Sequence, residues 1–255
     1  MTHAPKHRDP LKSRALRREH IRPTERDQMW ALLERYYNNV TREQFDRDLS
    51  QKTHVILLHS RHTGELKGFS TLVGRQMETQ GRRWWMVFSG DTIIDRDYWG
   101  QQSLQRRFTL YMLTQRLLHP TQPVYWFLIS KGYKTYLLMT RNFVEHWPRY
   151  ERPTPPWELE ATRDAATLLF GDAYDHNTGL LRFVDGQKLR EGVAPPEEHK
   201  GDAPDVRFFL ERNPHHANGD ELVCLAPVSP SFLVNFTLRT IRKALRGKRR
   251  GARRG

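Results

Sequence analysis

The hydrophobic positions change spacing along the chain, and each spacing predicts one kind of element. Between residues 24 and 50 they follow helical periodicity, which predicts one helix capped by Thr24 and a second that begins at Thr41 with the capping-box sequence TREQ. The next apolar runs, THVILLH, LKGFSTLV and WWMVFSGDTII, are short and separated by polar turns. Three strands joined by short turns predict an antiparallel meander.

A turn that contains a glycine, DRDYWGQQS, leads from the third strand into a helix with the sequence LQRRFTLYMLTQRLL. The strand PVYWFLIS follows, so the helix must cross over and pair this strand parallel to its neighbour. The segment KGYKTYLLMTRNFVEHWPRY begins as another helix, which Pro148 must end. The pattern therefore predicts an α/β fold: a mixed sheet, an antiparallel meander plus one parallel crossover strand, flanked by helices.

Composition and pattern together divide the chain into four regions. Residues 1–22 are rich in basic side chains and are predicted to form an arm that is disordered when free. Residues 23–150 form the core, and residues 151–229 form an additional lobe that completes the domain. Residues 230–255 join an apolar helical pattern to a cationic tail, so we predict a C-terminal extension made of an amphipathic helix and a basic tail.

The net charge of +13 lies almost entirely in the two tails. Residues 1–22 carry seven Lys and Arg against two acids, and residues 242–255 carry eight with no acid. The body between them holds 27 basic and 27 acidic residues and is neutral. A nucleic-acid-binding fold usually carries its basic stripe on the folded surface, so nucleic acid is the less favoured partner. The tails either keep the protein soluble or bind an anionic partner.

Several classes of protein and of site are excluded by what the sequence lacks. No run approaches 18 consecutive apolar residues and the first residues show no apolar signal segment, so we expect a cytoplasmic protein. The alternative is peripheral attachment to the inner face of the membrane through the C-terminal tail. A single cysteine, Cys224, excludes an internal disulfide and a Cys-based zinc site, and its apolar neighbours predict a buried thiol. Adjacent His215 and His216 have no partner cluster, so we predict no metal.

The order of elements over residues 24–150 resembles the core of the GNAT (N-acetyltransferase-like) acyltransferase superfamily. In that family the turn and helix after the fourth strand bind the pyrophosphate of acyl-coenzyme A, through an Arg or Gln followed by x-x-Gly-x-Gly/Ala. Here residues 97–102 read DYWGQQ, so only Gly100 matches. The resemblance therefore implies a divergent member with a degenerate phosphate-binding motif.

The same turn has a direct physical interpretation. Gly100 permits close approach of a phosphate, and unpaired N–H groups at a helix start attract an anion. The alternative is that Gly100 only allows a tight turn and that the arginines are solvated; the order of elements favours a donor site. The donor is either acyl-CoA or an acyl carrier protein thioester. The candidate donor-binding residues are Gly100, Gln101, Gln102, Ser103, Arg106 and Arg107.

The resemblance also implies two catalytic roles. A tyrosine that protonates the departing thiolate is expected on the helix after the parallel strand, where Tyr133 and Tyr136 are candidates. The alternative is that both rings fill the groove between helix and sheet. A base for the attacking amine is expected from Asp91, ranked first, or from His146. Acidic residues at strand ends are also ordinary helix caps, for which Asp95 is well placed.

The sequence thus predicts a GNAT-type N-acyltransferase that moves an acyl group from a thioester donor to an amine of unknown identity. Long-chain or lipid-like substrates at a membrane surface would suit the C-terminal helix and tail, and the same tail would attract an acidic acyl carrier protein. Two alternatives remain: a nucleic-acid-binding protein that uses its basic tails, and a GNAT-like scaffold without catalysis.

Overall fold

The computed structural model describes residues 9–182, 203–229 and 232, together with the backbone of residues 188–189. The helices are α1 (Pro23–Tyr36), α2 (Arg42–Ser50), α3 (Ser103–Leu118), α4 (Tyr133–Thr140), α5 (Pro156–Phe170) and α6 (Pro204–Arg212). The strands are β1 (Leu11–Arg17), β2 (Tyr37–Asn38), β3 (His54–Ser60), β4 (Leu66–Thr79), β5 (Arg82–Ile94), β6 (Val124–Ser130), β7 (Tyr174–Asp175), β8 (Leu180–Leu181), β9 (Lys188–Leu189) and β10 (Glu221–Pro227).

Eight of these strands form one mixed sheet in the order β1-β3-β4-β5-β6-β10-β8-β7. The pair β5–β6 is parallel because α3 crosses over between them, and the other pairs are antiparallel. The predicted fold class, an antiparallel meander plus one parallel crossover strand flanked by helices, is confirmed. The region after residue 150 adds β7, β8 and β10 to the same sheet, and β10 lies between β6 and β8. A short second ribbon pairs β2 with β9.

Helices cover both faces of the sheet. Successive strand residues point to opposite faces, so Val87 packs with residues of α3 and α4 while Met86 and Phe88 pack against α5. The other half of the α5 face is covered by α1 and α2, which bury Met29, Phe45 and their neighbours against β3 and β4. One face therefore carries α3, α4 and α6, and the opposite face carries α1 and α2 beside α5.

The predicted disordered arm over residues 1–22 is wrong for residues 9–22. β1 pairs with β3 from Leu11↔Ser60 to Arg17↔His54. Charged side chains are common on an edge strand, because water solvates them on the open side, so a basic composition does not exclude a strand here. Leu11 supplies the apolar anchor, with 6% of its surface exposed. Residues 1–8 lie outside the described part of the chain.

A buried carboxylate, Asp9, fixes the start of this segment. Its Oδ2 accepts hydrogen bonds from the hydroxyls of Ser60 (2.5 Å) and Tyr98 (2.9 Å), and its Oδ1 accepts from the backbone N–H of His62 at 3.3 Å. Burial opposes ionisation, but these donors together hold the pKa of Asp9 below its ordinary value. The network ties the N-terminal segment both to the β3–β4 turn and to the residues before α3.

We expect Asp9→Ala to lower the thermal midpoint of unfolding by several degrees, because it leaves three donors without their acceptor. The matched control is Glu19→Ala in the same basic segment, where the side chain is exposed and pairs with Arg17 at 3.5 Å; its midpoint should stay unchanged. Differential scanning calorimetry measures both. Equal midpoints for the two variants would mean that residues 9–22 behave as a free arm.

Two other regions differ from expectation or lie beyond the description. The helix predicted after β6 is short, because α4 ends at Thr140 and turns occupy the chain as far as Pro148. From the predicted C-terminal extension over residues 230–255 the structure describes Phe232, which stacks on Phe143 with ring centroids 4.4 Å apart. The amphipathic helix and basic tail otherwise lie outside the described residues. Among the described helices, none has the length and apolar character needed to cross a membrane.

Candidate active site

The parallel strands β5 and β6 stop pairing before either of them ends. β5 and β6 pair from Trp85↔Val124 to Phe88↔Phe127, although β5 continues to Ile94 and β6 to Ser130. Where pairing stops, backbone groups of both strands become available to a ligand. The carboxyl ends of parallel strands are the usual place for a binding site in an α/β sheet.

A β-bulge lies at the same point on the other edge of β5. The register with β4 passes from Ser70↔Thr92 to Leu72↔Ser89, so Thr71 faces two residues of β5, Gly90 and Asp91. Bulges bend a strand, leave one residue unpaired and redirect side chains, and they are frequent beside active sites. Here the bulge places the exposed Asp91 at the carboxyl end of β5.

Glu221 lies beside the carboxyl end of β6. It begins β10, and its neighbour Leu222 pairs with Ser130. Burial raises the pKa of Glu221 to about 7; Lys131 opposes this rise and the negative charge of Asp91 adds to it. A carboxyl group with a pKa near neutrality can take up or release a proton at physiological pH.

Tyr37 joins these carboxylates from the α1 side of the sheet. Burial, with smaller effects from Asp91 and Glu221, raises its pKa to about 12. Asp48 of α2 also responds to Asp91, because burial and then the charge of Asp91 raise its pKa. The charge of Asp91 acts on Glu221, Tyr37 and Asp48, so these residues lie near one another where α1 and α2 meet the carboxyl ends of β5 and β6. We call this region the acceptor cleft.

The turn before α3 contains a glycine with the backbone freedom that the sequence analysis expected. Gly100 has φ +85, a conformation that side-chain-bearing residues rarely adopt. Gln101, however, is used internally: its Oε1 accepts from Leu11 N–H (3.1 Å) and its Nε2 donates to Asp9 C=O (2.9 Å). Its side-chain amide therefore binds the N-terminal segment of the chain.

Two further candidates for donor binding also hold β1. Ser103 Oγ donates to Leu11 C=O at 3.4 Å, and Arg107 Nη2 donates to Ser13 C=O at 2.6 Å. Arg106 is exposed, and no ion pair joins it to another described residue. The side chains of Gln101, Ser103 and Arg107 are therefore occupied within the fold, whereas the Arg106 side chain is exposed.

The predicted tyrosines lie in the core on the α3–α4 face. Tyr136 is fully buried, and its hydroxyl donates to Pro148 C=O at 2.9 Å. Burial raises its pKa far above the ordinary value, so it keeps its proton. This geometry favours the alternative that Tyr136 fills the groove. Tyr133 is also buried in this cluster, where it begins α4, and its role as an acid stays a prediction.

His146 is buried beside Tyr136, with ring centroids 6.3 Å apart. Its Nδ1 donates to Phe143 C=O at 3.1 Å, so Nε2 carries no proton when the ring is neutral. Burial lowers the pKa of His146, which favours that neutral form. Both neighbours belong to the α3–α4 face, whereas Asp91 lies in the acceptor cleft. The described contacts do not bring His146 and Asp91 together.

Sequence reasoning missed Glu221, although a signal was present. An acid immediately before the apolar run LVCLA indicates a carboxyl group at the first position of a buried strand, where the surroundings have low polarity. Which strands flank it cannot be read from the sequence, because β10 inserts between β6 and β8 from about 90 residues away in the chain. Tyr37 follows α1 directly and begins β2.

Cys224 is buried, as the sequence predicted, and burial raises the pKa of its thiol. Asp95 caps the 3-10 turn that precedes α3 by accepting a hydrogen bond from Asp97 N–H. Within the described ranges, His, Cys, Asp and Glu side chains form no group of three suited to a metal ion.

No protein-family model matches the chain, and no curated protein matches its sequence. Solved structures of N-acyltransferases are similar to part of it. A probable N-acyltransferase from Enterococcus faecalis V583 is 16% identical with a TM-score of 0.39, covering 51% of this chain and 31% of that one. Glucosamine-6-phosphate N-acetyltransferase from Arabidopsis thaliana is 15% identical with a TM-score of 0.33, covering 47% and 82%.

A GNAT family N-acetyltransferase from Escherichia coli, solved in complex with CoA, is 17% identical with a TM-score of 0.33, covering 49% of this chain and 67% of that one. The chain thus spans about a third of the Enterococcus protein and larger shares of the other two.

Proposed function

We propose that this protein is an N-acyltransferase that moves an acyl group from a thioester donor to an amine bound in the acceptor cleft. The observation that carries the proposal is the Glu221 carboxyl group, whose pKa is about 7, beside Asp91 where β5 and β6 part. An amine must lose a proton to attack a thioester, and a carboxylate of that pKa is a suitable acceptor near neutral pH. The GNAT-like order of elements supports the same reaction class.

In the proposed reaction the amine nitrogen bonds to the thioester carbonyl carbon, the C–S bond breaks and the sulfur leaves as a thiolate. Glu221 takes the proton that the ammonium group releases. Asp91 keeps the Glu221 pKa high and adds negative charge that attracts the cationic amine. The thiolate needs a proton, for which Tyr133 stays the candidate. Holding both substrates in reacting geometry supplies much of the acceleration in reactions of this kind.

The donor would approach from the α3 end of the sheet. A thioester donor supplies an activated acyl group; the Gly100 turn, the first N–H groups of α3 and Arg106 would hold its phosphate. Gln101, Ser103 and Arg107 would act indirectly, by fixing β1 along α3. The expected roles of a carrier-protein donor and of an anionic membrane depend on residues 233–255, outside the described part of the chain.

The experiment that tests this proposal is a thiol-release assay on the full-length protein. Acyl-CoA donors from acetyl to palmitoyl, and the same acyl groups on acyl carrier protein, are each offered with a panel of small amines. We expect saturable, amine-dependent thiol release with at least one donor. Saturable donor binding without amine-dependent release would instead indicate a scaffold that has lost catalysis. Absence of both binding and release would exclude an acyltransferase.

A further inference from the structure

The glycine of the β5 bulge faces an uncommon pair of polar groups. A Cβ placed on Gly90 would lie 2.6 Å from Thr71 Oγ1, 3.5 Å from Lys52 Nζ and 3.6 Å from Phe88 Cε1. Any side chain at this position would therefore displace the Thr71 hydroxyl. The absence of a side chain at Gly90 lets the hydroxyl and the ammonium approach each other across the bulge.

Neither polar group is satisfied by the described residues. Thr71 is 2% exposed, and its Oγ1 has no hydrogen-bond partner. A buried hydroxyl without a protein partner costs stability unless a bound molecule supplies the missing hydrogen bond. The Lys52 ammonium makes neither a hydrogen bond nor an ion pair within the described residues, and lies 5.8 Å from the centroid of the Phe88 ring.

Lys52 belongs to the acceptor cleft. Burial and the charge of Asp91 raise the pKa of Asp48, whereas Lys52 and Arg47 lower it, so Lys52 and Asp91 act on one carboxyl group. Asp91 follows Gly90 directly in the bulge, and it also raises the pKa of Glu221. The cation of Lys52 thus lies on one side of the bulge, and the carboxylates of Asp91 and Glu221 lie on the other side of the cleft.

We propose that Lys52 and Thr71 form a subsite for a carboxylate of the acceptor, which is therefore an amino acid or a similar small amine that carries a carboxylate. This inference rests on the proposed function and specifies its substrate class. A lysine ammonium and a hydroxyl both donate to a carboxylate, and hydrogen bonds to a charged group are stronger than neutral ones. The amine of the same molecule lies toward Asp91 and Glu221. Opposite charges at the two ends fix its orientation.

The test compares amino acids with their amides, which keep the amine and lose the carboxylate. Thiol release and calorimetric binding are measured for each pair, for example glycine with glycinamide and leucine with leucinamide. We expect kcat/KM to be about 10–100-fold higher for the acid of the preferred pair. Lys52→Met should raise KM for that acid by a similar factor and leave the amide within twofold. The matched control Lys12→Met, on the exposed edge strand β1, should change neither.

Thr71→Val separates binding from folding. The substitution removes a hydroxyl that has no partner, so the thermal midpoint should not fall, whereas KM for the acid should rise about tenfold. Equal kcat/KM for acids and amides, or equal losses for both in Lys52→Met, would overturn the subsite while acyl transfer stands. If no acceptor is acylated, the proposed function fails, and calorimetry alone decides the subsite: acid-selective binding that Lys52→Met abolishes supports it, and its absence overturns it.

Discussion

Replacing Glu221 with glutamine is expected to lower kcat/KM for acyl transfer by about 10²–10⁴-fold, the usual contribution of a general base. Glutamine keeps the shape of the side chain but cannot accept the proton of the attacking amine. For the wild-type protein, kcat/KM should rise with pH through an apparent pKa of about 7, because the carboxylate is the active form. The variant should lose this rise. Steady-state kinetics between pH 5 and pH 9 measures both effects.

The neighbours of Glu221 provide directional controls. Asp91→Asn removes a negative charge that raises the Glu221 pKa, so the rise in kcat/KM should move to lower pH. Lys131→Met removes the cation that lowers this pKa, so the rise should move to higher pH. If the midpoint of the kcat/KM profile against pH is the same in both variants as in the wild type, another group transfers the proton. An unchanged profile in Glu221→Gln would lead to the same conclusion.

Stability gives a second readout of the same pKa. The folded-state pKa of about 7 lies above the ordinary Glu value of 4.5, so between these values the unfolded chain ionises while the folded protein stays protonated. The contribution of Glu221 to folding stability should therefore fall as pH rises from about 4.5 to about 7 and level off above that range. Glu221→Gln should be more stable than the wild type at pH 8, by up to about 3 kcal/mol. A gain in stability with a loss of activity excludes misfolding as the cause.

The sequence predicted the central strands of the sheet because each of them has a recognisable local pattern of apolar residues. THVILLH, LKGFSTLV and WWMVFSGDTII alternate or cluster apolar residues between turns, and the long helix after Gly100 can only cross over, which makes β5–β6 parallel. Such inferences need only neighbours in the chain. The start of α2 at Thr41, where the hydroxyl accepts a hydrogen bond from Gln44 N–H, is local in the same sense.

The missed features depend on residues distant in the chain. Taken alone, the sequence of β1 looks like a basic arm. In the folded protein β1 pairs with the edge of β3, and Asp9 accepts hydrogen bonds from the hydroxyls of Ser60 and Tyr98. Glu221 acquires its pKa from burial and from Asp91, more than 100 residues earlier. The internal contacts of the side chains predicted to bind the acyl donor could not be foreseen for the same reason. Gln101, for example, contacts Leu11 and Asp9 only in the folded sheet. Local patterns identify elements, whereas the chemistry of this site arises where distant elements meet.

Phe127→Ala is expected to be the most destabilising single change near the site, lowering the free energy of unfolding by about 3–5 kcal/mol. The ring is fully buried and packs between Phe88 and Phe170, with centroids 5.8 Å and 6.5 Å away. Truncation leaves a cavity against α5 that the rigid sheet cannot close. Because Phe88↔Phe127 is the last paired position of β5 and β6, the cavity would also loosen the strand ends that carry Asp91 and lie beside Glu221.

Urea unfolding and steady-state kinetics on one preparation test the two consequences together. The control is Leu168→Ala on α5, where the side chain is 45% exposed and the stability change should stay within about 0.5 kcal/mol. Phe127→Leu should cost less than Phe127→Ala, because it restores most of the buried volume, and should recover activity in proportion. A Phe127→Ala protein that is as stable as Leu168→Ala would refute this packing. A Phe127→Ala protein that is unstable but fully active at low temperature would show that the geometry at the ends of β5 and β6 does not depend on this ring.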